Sequence, residues 1–300
     1  MNVVLGALQI NFPALSASLL KAEPLLKLRV ITAVVLLAVL LPLLFHDNPA
    51  LFVGAALLML SAGAWEWGRL NGLLSTTSVA LGVLFGCGMA AMWWRLGLQI
   101  HNAFWYITAG LWLAVVPWLL HRGVNAWGVT PRVLRLCVGL MALGLAWIAM
   151  AQARTVGVNF LLSLLALVWI ADIAAYFGGK AFGRRKLAPS VSPGKSWEGA
   201  VTGWLGVIVL AIAWIGLDER MPMDSPSVYT LLYTNNPVAC WLVFSCLSVV
   251  SVLGDLMESL VKRSAGFKDS SNLLPGHGGI LDRVDALLPV LPLAMLFVNF

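Results

Sequence analysis

The feature that most constrains this chain is a succession of apolar runs, each near the roughly 17–25 residues needed to cross a bilayer. Nine can be marked, at about 28–46, 49–67, 74–94, 102–120, 134–152, 158–178, 199–217, 237–257 and 284–300. Buried helices of a large soluble core would need a polar shell. With 60% of the 300 residues apolar and 11% charged, there is too little charge to build one. The expected fold is an all-α polytopic integral membrane protein with about nine transmembrane helices.

Lys and Arg accumulate in cytoplasmic loops. Nine alternating spans with the N-terminus inside put sixteen of the 19 Lys and Arg residues inside, leaving Arg95, Arg154 and Arg220 outside. That bias supports an N-terminus inside and a C-terminus outside. The loop carrying Asp218, Glu219 and Asp224 then falls on the outer side. The net charge of +6 follows from the same bias. It points to anionic headgroups or a phosphorylated substrate as partners. No basic stripe interleaves with aromatics, so nucleic acid is excluded as a partner. The four cysteines, Cys87, Cys137, Cys240 and Cys246, lie inside apolar runs without metal spacing and read as small packing residues. Many of the tryptophans, Trp65, Trp67, Trp93, Trp94, Trp118 and Trp197 among them, lie near span ends, as interfacial belts do.

By content the chain divides into residues 1–24, an N-terminal extension; 25–152, N-terminal transmembrane helices; and 153–300, a C-terminal transmembrane catalytic region. The extension lacks a basic n-region and is broken by Asn11 and Pro13. It is a poor signal peptide. In the second region Glu66 and Arg69, at i and i+3, read as an interfacial ion pair more readily than as a site.

The polar residues are spent in the third region. Asp172 lies within a span, and an intramembrane carboxylate is a candidate functional group. Tyr176 shares its face at i+4. The stretch Phe177 to Gly199 is rich in Gly, Pro, Ser and cations, including Ser192 and Lys195, whose hydroxyl and ammonium suit phosphate oxygens. Ser196-Trp-Glu-Gly also fits a helix cap. Asp255, Glu258 and Lys262 fall on one face of a helix continuing the eighth span, and Asp282 and Asp285 on one face at the mouth of the ninth. Oxygen-only ligands beside phosphate suit Mg²⁺. The lack of clustered His and Cys argues against zinc.

The window Ser259 to Asp285 reads Ser-x-x-Lys-Arg, four residues, Lys-Asp, and later Leu-Pro-x-His-Gly-Gly-x-x-Asp-Arg-x-Asp. It resembles the signature of the CDP-diacylglycerol synthases (phosphatidate cytidylyltransferases). So do Asp172-x-x-Ala-Tyr-Phe-Gly-Gly through Lys195-Ser-Trp-Glu-Gly, and Gly254-Asp255-x-x-Glu258-Ser259. The resemblance covers roughly residues 25–300, with Gly194 and Ser196 standing where Lys and Thr are expected. It implies a dimeric inner-membrane enzyme that joins CTP and phosphatidate into CDP-diacylglycerol and pyrophosphate. Its Mg²⁺ site, alone or with a second cation, would lie near the cytoplasmic surface. Ligand positions carried over are Asp255, Asp282 and Asp285, with Lys262 close by.

The nucleophile would be the lipid phosphate itself, largely dianionic at neutral pH because its second pKa lies near about 6. A strong base is then unnecessary. His277 becomes an orienting group or phosphate donor, although histidine is the usual proton carrier at neutral pH. Lys262, Arg263, Lys268 and Arg283 would hold phosphates, beside Asp269 of the signature. Gly278 and Gly279 would bring backbone N–H groups close. Asp172, Ser192 and Lys195 would bind the headgroup or order the loop. The rival readings are a CTP-dependent lipid kinase of the polyprenol type and a transporter. The lopsided placement of polar residues argues against the transporter.

Overall fold

The computed structural model describes residues 12–298, with side chains from residue 28 onward. Residues 1–11 of the expected extension lie outside the described residues. From Phe12 the backbone is already helical and runs unbroken into the first span as α1 (Phe12–Phe45).

The long helices end where local chemistry stops them. Pro49 opens α2 (Pro49–Leu70) behind Asn48, whose side chain accepts from the Ala50 N–H. Gly97 closes α3 (Ser75–Leu96) at φ 73°, and Gly123 closes the next run at φ 77°, conformations that glycine adopts without strain. That run joins α4 (Ala103–Gly110), a π turn at Leu111–Val115 and α5 (Val116–Arg122). The short α6 (Val124–Val129) leads to α7 (Arg132–Val156) and α8 (Val158–Phe182). An antiparallel hairpin of β1 (Lys186–Ala188) and β2 (Ser192–Ser196) precedes α9 (Trp197–Asp218), so the fold is helical but not purely so. The Ser196 hydroxyl accepts from the Gly199 N–H at 3.1 Å, the cap expected from sequence. Next come α10 (Val228–Asn235) and α11 (Ala239–Ser264). The chain then forms a loop, the single turn α12 (Leu281–Val284) and α13 (Leu287–Val298).

Among the described residues eight helices are long and apolar enough to cross a membrane: Leu28–Phe45, α2, α3, Ala103–Arg122, α7, α8, α9 and α11. The ninth expected span corresponds to α13. It has 12 residues, about 18 Å at 1.5 Å per residue, short of a bilayer crossing. Val290, Leu291, Leu293 and Ala294 are completely buried, and α13 packs against α7, α11 and α4. It is a central plug, apolar because protein surrounds it. By contrast α1 and α3 keep broad apolar faces exposed, as lipid-facing helices do.

Inside the bundle, several polar side chains donate to backbone carbonyls. Trp147 Nε1 donates to Val53 O at 3.0 Å, Gln152 Nε2 to Leu98 O at 2.6 Å and Arg154 Nη2 to His46 O at 2.7 Å. At the same end Asp224 accepts from the Val158 and Asn159 N–H groups (2.5 and 2.9 Å), which also sets a negative charge at the positive end of α8. Not every tryptophan near a span end serves as a belt. Trp94 and Trp118 are exposed, but Trp67 is buried edge-on against Trp127 and donates to Arg135 O at 3.1 Å. Of the cysteines, all free, only Cys240 and Cys246 pack inside, and Cys87 and Cys137 face outward.

α8 and α9 approach one another closely through glycines. A Cβ on Gly199 or Gly203 would lie 2.9 or 2.8 Å from the carbonyl oxygens of Ala175 and Ala171. One on Gly178 would strike Thr202. Small residues here let the backbones touch, which carries α8 straight through Gly178-Gly179 where the sequence suggested a loop. Gly203→Val should therefore wedge the pair apart and cost about 1–3 kcal/mol, read as a lower melting midpoint in detergent. Gly216→Val, with nothing within 4 Å of its Cβ, should leave the midpoint unchanged.

Candidate active site

At the end of the bundle opposite Asp224, α8, α9, α11, the hairpin and the α11–α13 connection enclose a cavity of about 650 Å³. Asp172, Tyr176 and Lys180 open onto it from successive turns of α8. Ser192 and Lys195 reach it from β2, Ser248, Asp255 and Lys262 from α11, and Asp269, Asp282, Arg283 and Asp285 from the connection. Nine of the residues singled out from sequence thus meet at one void, although they span more than a hundred positions.

Some of these charges are matched within the site. Lys195 forms an ion pair with Asp255. Lys262 lies between Glu258 and Asp282, 2.5 Å from a carboxylate oxygen of each; Glu258 is buried and the other two are partly so. The other oxygen of Asp282 accepts from the N–H groups of Gly279 (2.8 Å) and Ser270 (2.9 Å) and from the Ser270 hydroxyl (2.8 Å). Burial by itself would raise the Asp282 carboxyl. The Lys262 ammonium and the two N–H donors outweigh it and bring the pKa down to about 2, so Asp282 is ionised at neutral pH.

The Gly-rich turn is built inward. Gly278, at φ +84°, accepts from the Leu274 N–H at 2.8 Å, and a Cβ there would lie 2.7 Å from Asp282 Oδ2. Gly279 spends its N–H on Asp282, and a Cβ there would lie 2.3 Å from Glu66 Oε1. Both glycines admit carboxylates of the protein itself. His277 contributes its carbonyl, which accepts from Arg283 Nε (3.0 Å) and Nη2 (2.6 Å). Its imidazole, like the side chains of Arg263 and Lys268, does not line the cavity. Arg263 turns back to Phe267 O at 3.4 Å, and Lys268 borders a separate depression with Trp65 and Arg69.

Glu66 also differs from its expected place. Glu66 does not pair with Arg69, whose guanidinium lies over the Trp65 ring at 5.2 Å. It is completely buried. It accepts from the Ile280 and Leu281 N–H groups (2.9 and 2.8 Å) and from the Ser270 and Ser271 hydroxyls (3.0 and 2.5 Å). From α1, Arg29 Nε donates to Gly276 O at 3.0 Å and the Thr32 hydroxyl to Pro275 O at 2.8 Å. The N-terminal helices hold the turn that the C-terminal region supplies.

Among the described residues no three His, Cys, Asp or Glu side chains are gathered tightly enough to hold a metal ion by themselves. Yet Asp172, Asp255 and Asp285 line the same cavity, with Lys195 among its lining residues. One or two carboxylates completed by water and substrate phosphates is the usual Mg²⁺ arrangement, so this oxygen donor set fits that ion. Asp282, holding Lys262 and three other donors, has the least capacity left for one.

The profile of the Cytidylyltransferase family matches residues 27–300. The chain belongs to that family. It is 40% identical to a phosphatidate cytidylyltransferase of Pseudomonas aeruginosa over 281 residues, covering 89% of this chain and 94% of the relative. It is 34% identical to one of Haemophilus influenzae, covering 92% and 99%. A Bacillus subtilis relative of the same name is 43% identical over 136 residues, 45% of this chain and 46% of the relative.

The triad of Glu258, Lys262 and Asp282 gives a direct test. Lys262→Met would leave Glu258 and Asp282 facing each other without a cation. Loss of one member of a buried pair costs about 3–5 kcal/mol, so the melting midpoint should fall sharply, and adding Glu258→Gln should restore part of it.

Proposed function

We propose that the chain is a phosphatidate cytidylyltransferase that joins CTP and phosphatidate into CDP-diacylglycerol, with release of pyrophosphate. The observation that carries this reading is the single cavity in which Lys180, Lys195, Lys262 and Arg283 face five aspartates. The names and coverage of the relatives support it.

The chemical problem is to bring two polyanions together. The lipid phosphate already carries the lone pairs it needs, so it attacks the CTP α-phosphorus directly and pyrophosphate leaves in line. The protein then has to hold and neutralise, not to take a proton. Lys195 and Lys262 are committed to carboxylates. Lys180 has no ion pair among the described residues, and Arg283 spends part of its guanidinium on the His277 carbonyl. These two cations are the ones assigned to substrate phosphates. The Ser192 hydroxyl is placed to add a donor. Asp255 and Asp285, with Asp172 nearby, would hold Mg²⁺, which when bound offsets phosphate charge. Asp269 lines the same cavity.

The same proposal puts the cavity on the cytoplasmic side of the inner membrane, supported by the sixteen Lys and Arg residues that fall on one side of the alternating spans. Phosphatidate would enter from the leaflet past the exposed aromatic ring of Tyr176. The homodimer implied by the family resemblance belongs to this proposal too.

Purified protein given CTP labelled at the α-phosphorus, phosphatidate and Mg²⁺ should move label into the lipid fraction. Asp255→Asn should lower the rate roughly 10- to 100-fold or further, and a chelated sample should be inactive. Transfer of γ-label to a lipid alcohol, with no α-label in lipid, would replace this reading with the kinase.

A further inference from the structure

We infer that Glu66 is a positioning residue for the reaction, acting through Ser270 on Asp282 and so on Lys262. The inference rests on the cytidylyltransferase reading for its kinetic meaning and on geometry for its substance. Glu66 is 204 positions before Ser270, on a helix that contributes nothing to the cavity wall.

Every partner of the Glu66 carboxylate is a donor from one segment: two hydroxyls, Ser270 and Ser271, and two N–H groups, Ile280 and Leu281. The N–H groups belong to the start of the single turn that carries Asp282, where helical donors have no intrahelical acceptor. Ser270 is the link. Its hydroxyl lies 3.0 Å from Glu66 Oε2 and 2.8 Å from Asp282 Oδ2, and one hydroxyl has one proton to give. Asp282 then holds the Lys262 ammonium through its other oxygen. A chain of contacts therefore runs from α2 through Ser270 and Asp282 to a cation on α11. Gly279 closes around the same carboxylate, since a Cβ there would collide with Glu66 Oε1 and Ser270 Oγ. The arrangement fixes the Asp282 turn to a span that touches no substrate.

Glu66→Gln keeps the shape but points an amide NH₂ at hydroxyl and N–H donors. The displaced turn should lower kcat for α-label transfer roughly 10- to 100-fold. Three enzymes separate positioning from general support: Glu66→Gln, Asp282→Asn and the double variant. If Glu66 acts through Asp282, the double variant should be no slower than Asp282→Asn alone. Losses that multiply, or an unchanged kcat in Glu66→Gln, would overturn the inference. Should Glu66→Gln fail to fold, Ser270→Ala takes its place in the same cycle, because it cuts the link and leaves the backbone donors to both carboxylates intact.

Amide hydrogen exchange on the intact protein provides a reading independent of activity. Glu66→Gln, or Ser270→Ala in its place, should speed exchange at Ser270, Gly279, Ile280 and Leu281 and leave α8 and α9 unchanged. A wild-type protein that transfers no label would defeat the function reading. In that case unchanged exchange at the four amides would overturn the positioning role by itself.

Discussion

The structure depends on one constraint: a charge inside an apolar bundle persists only with a partner. Glu66 is met by four donors, Asp282 by Lys262 and the Ser270–Gly279 turn, Glu258 by Lys262 and Asp255 by Lys195. At the far end Asp218 is met by the Asn159 and Thr230 side chains and the Ser227 N–H, and Asp224 by the start of α8. The cavity is where this matching loosens. Asp172 and Asp285 line it without an ion pair among the described residues, and Lys180 and Arg283 likewise have no carboxylate partner there. A surplus of both signs around one void, otherwise costly, is what two anionic substrates and a divalent cation would balance.

Packing places that void. α8 and α9 meet backbone to backbone through glycines and form one wall, α11 supplies another, and α13 fills the centre beneath. The α11–α13 connection supplies the rest of the lining and is held by Glu66, Arg29 and Thr32. The division of the chain by content is therefore not a division of labour. The apparently featureless N-terminal helices secure the most polar segment of the C-terminal region.

Much of this was legible in the sequence because the signals are local. Span length and charge are read residue by residue, and eight of the nine marked runs correspond to long apolar helices. The signature placed Asp255, Lys262, Asp282, Arg283 and Asp285 in one site because its spacing is contiguous. What escaped was whatever depends on a distant partner. Apolarity alone does not separate a helix facing lipid from one buried in protein, so α13 read as a span. Glu66 read as an ion pair with its neighbour because its partners lie more than two hundred residues away. Only its place between two tryptophans, too apolar a setting for a surface ion pair, hinted otherwise. The glycines read as substrate donors because nothing in the sequence shows that Asp282 and Glu66 already occupy the space beside them.

In the proposed reaction the lipid phosphate attacks CTP directly, with no protein nucleophile in between. The most direct test uses CTP carrying a chiral phosphorothioate at the α-position and reads the configuration of the CDP-diacylglycerol formed. One in-line displacement predicts inversion at phosphorus. Retention would require two displacements through a cytidylylated side chain, and would contradict the account.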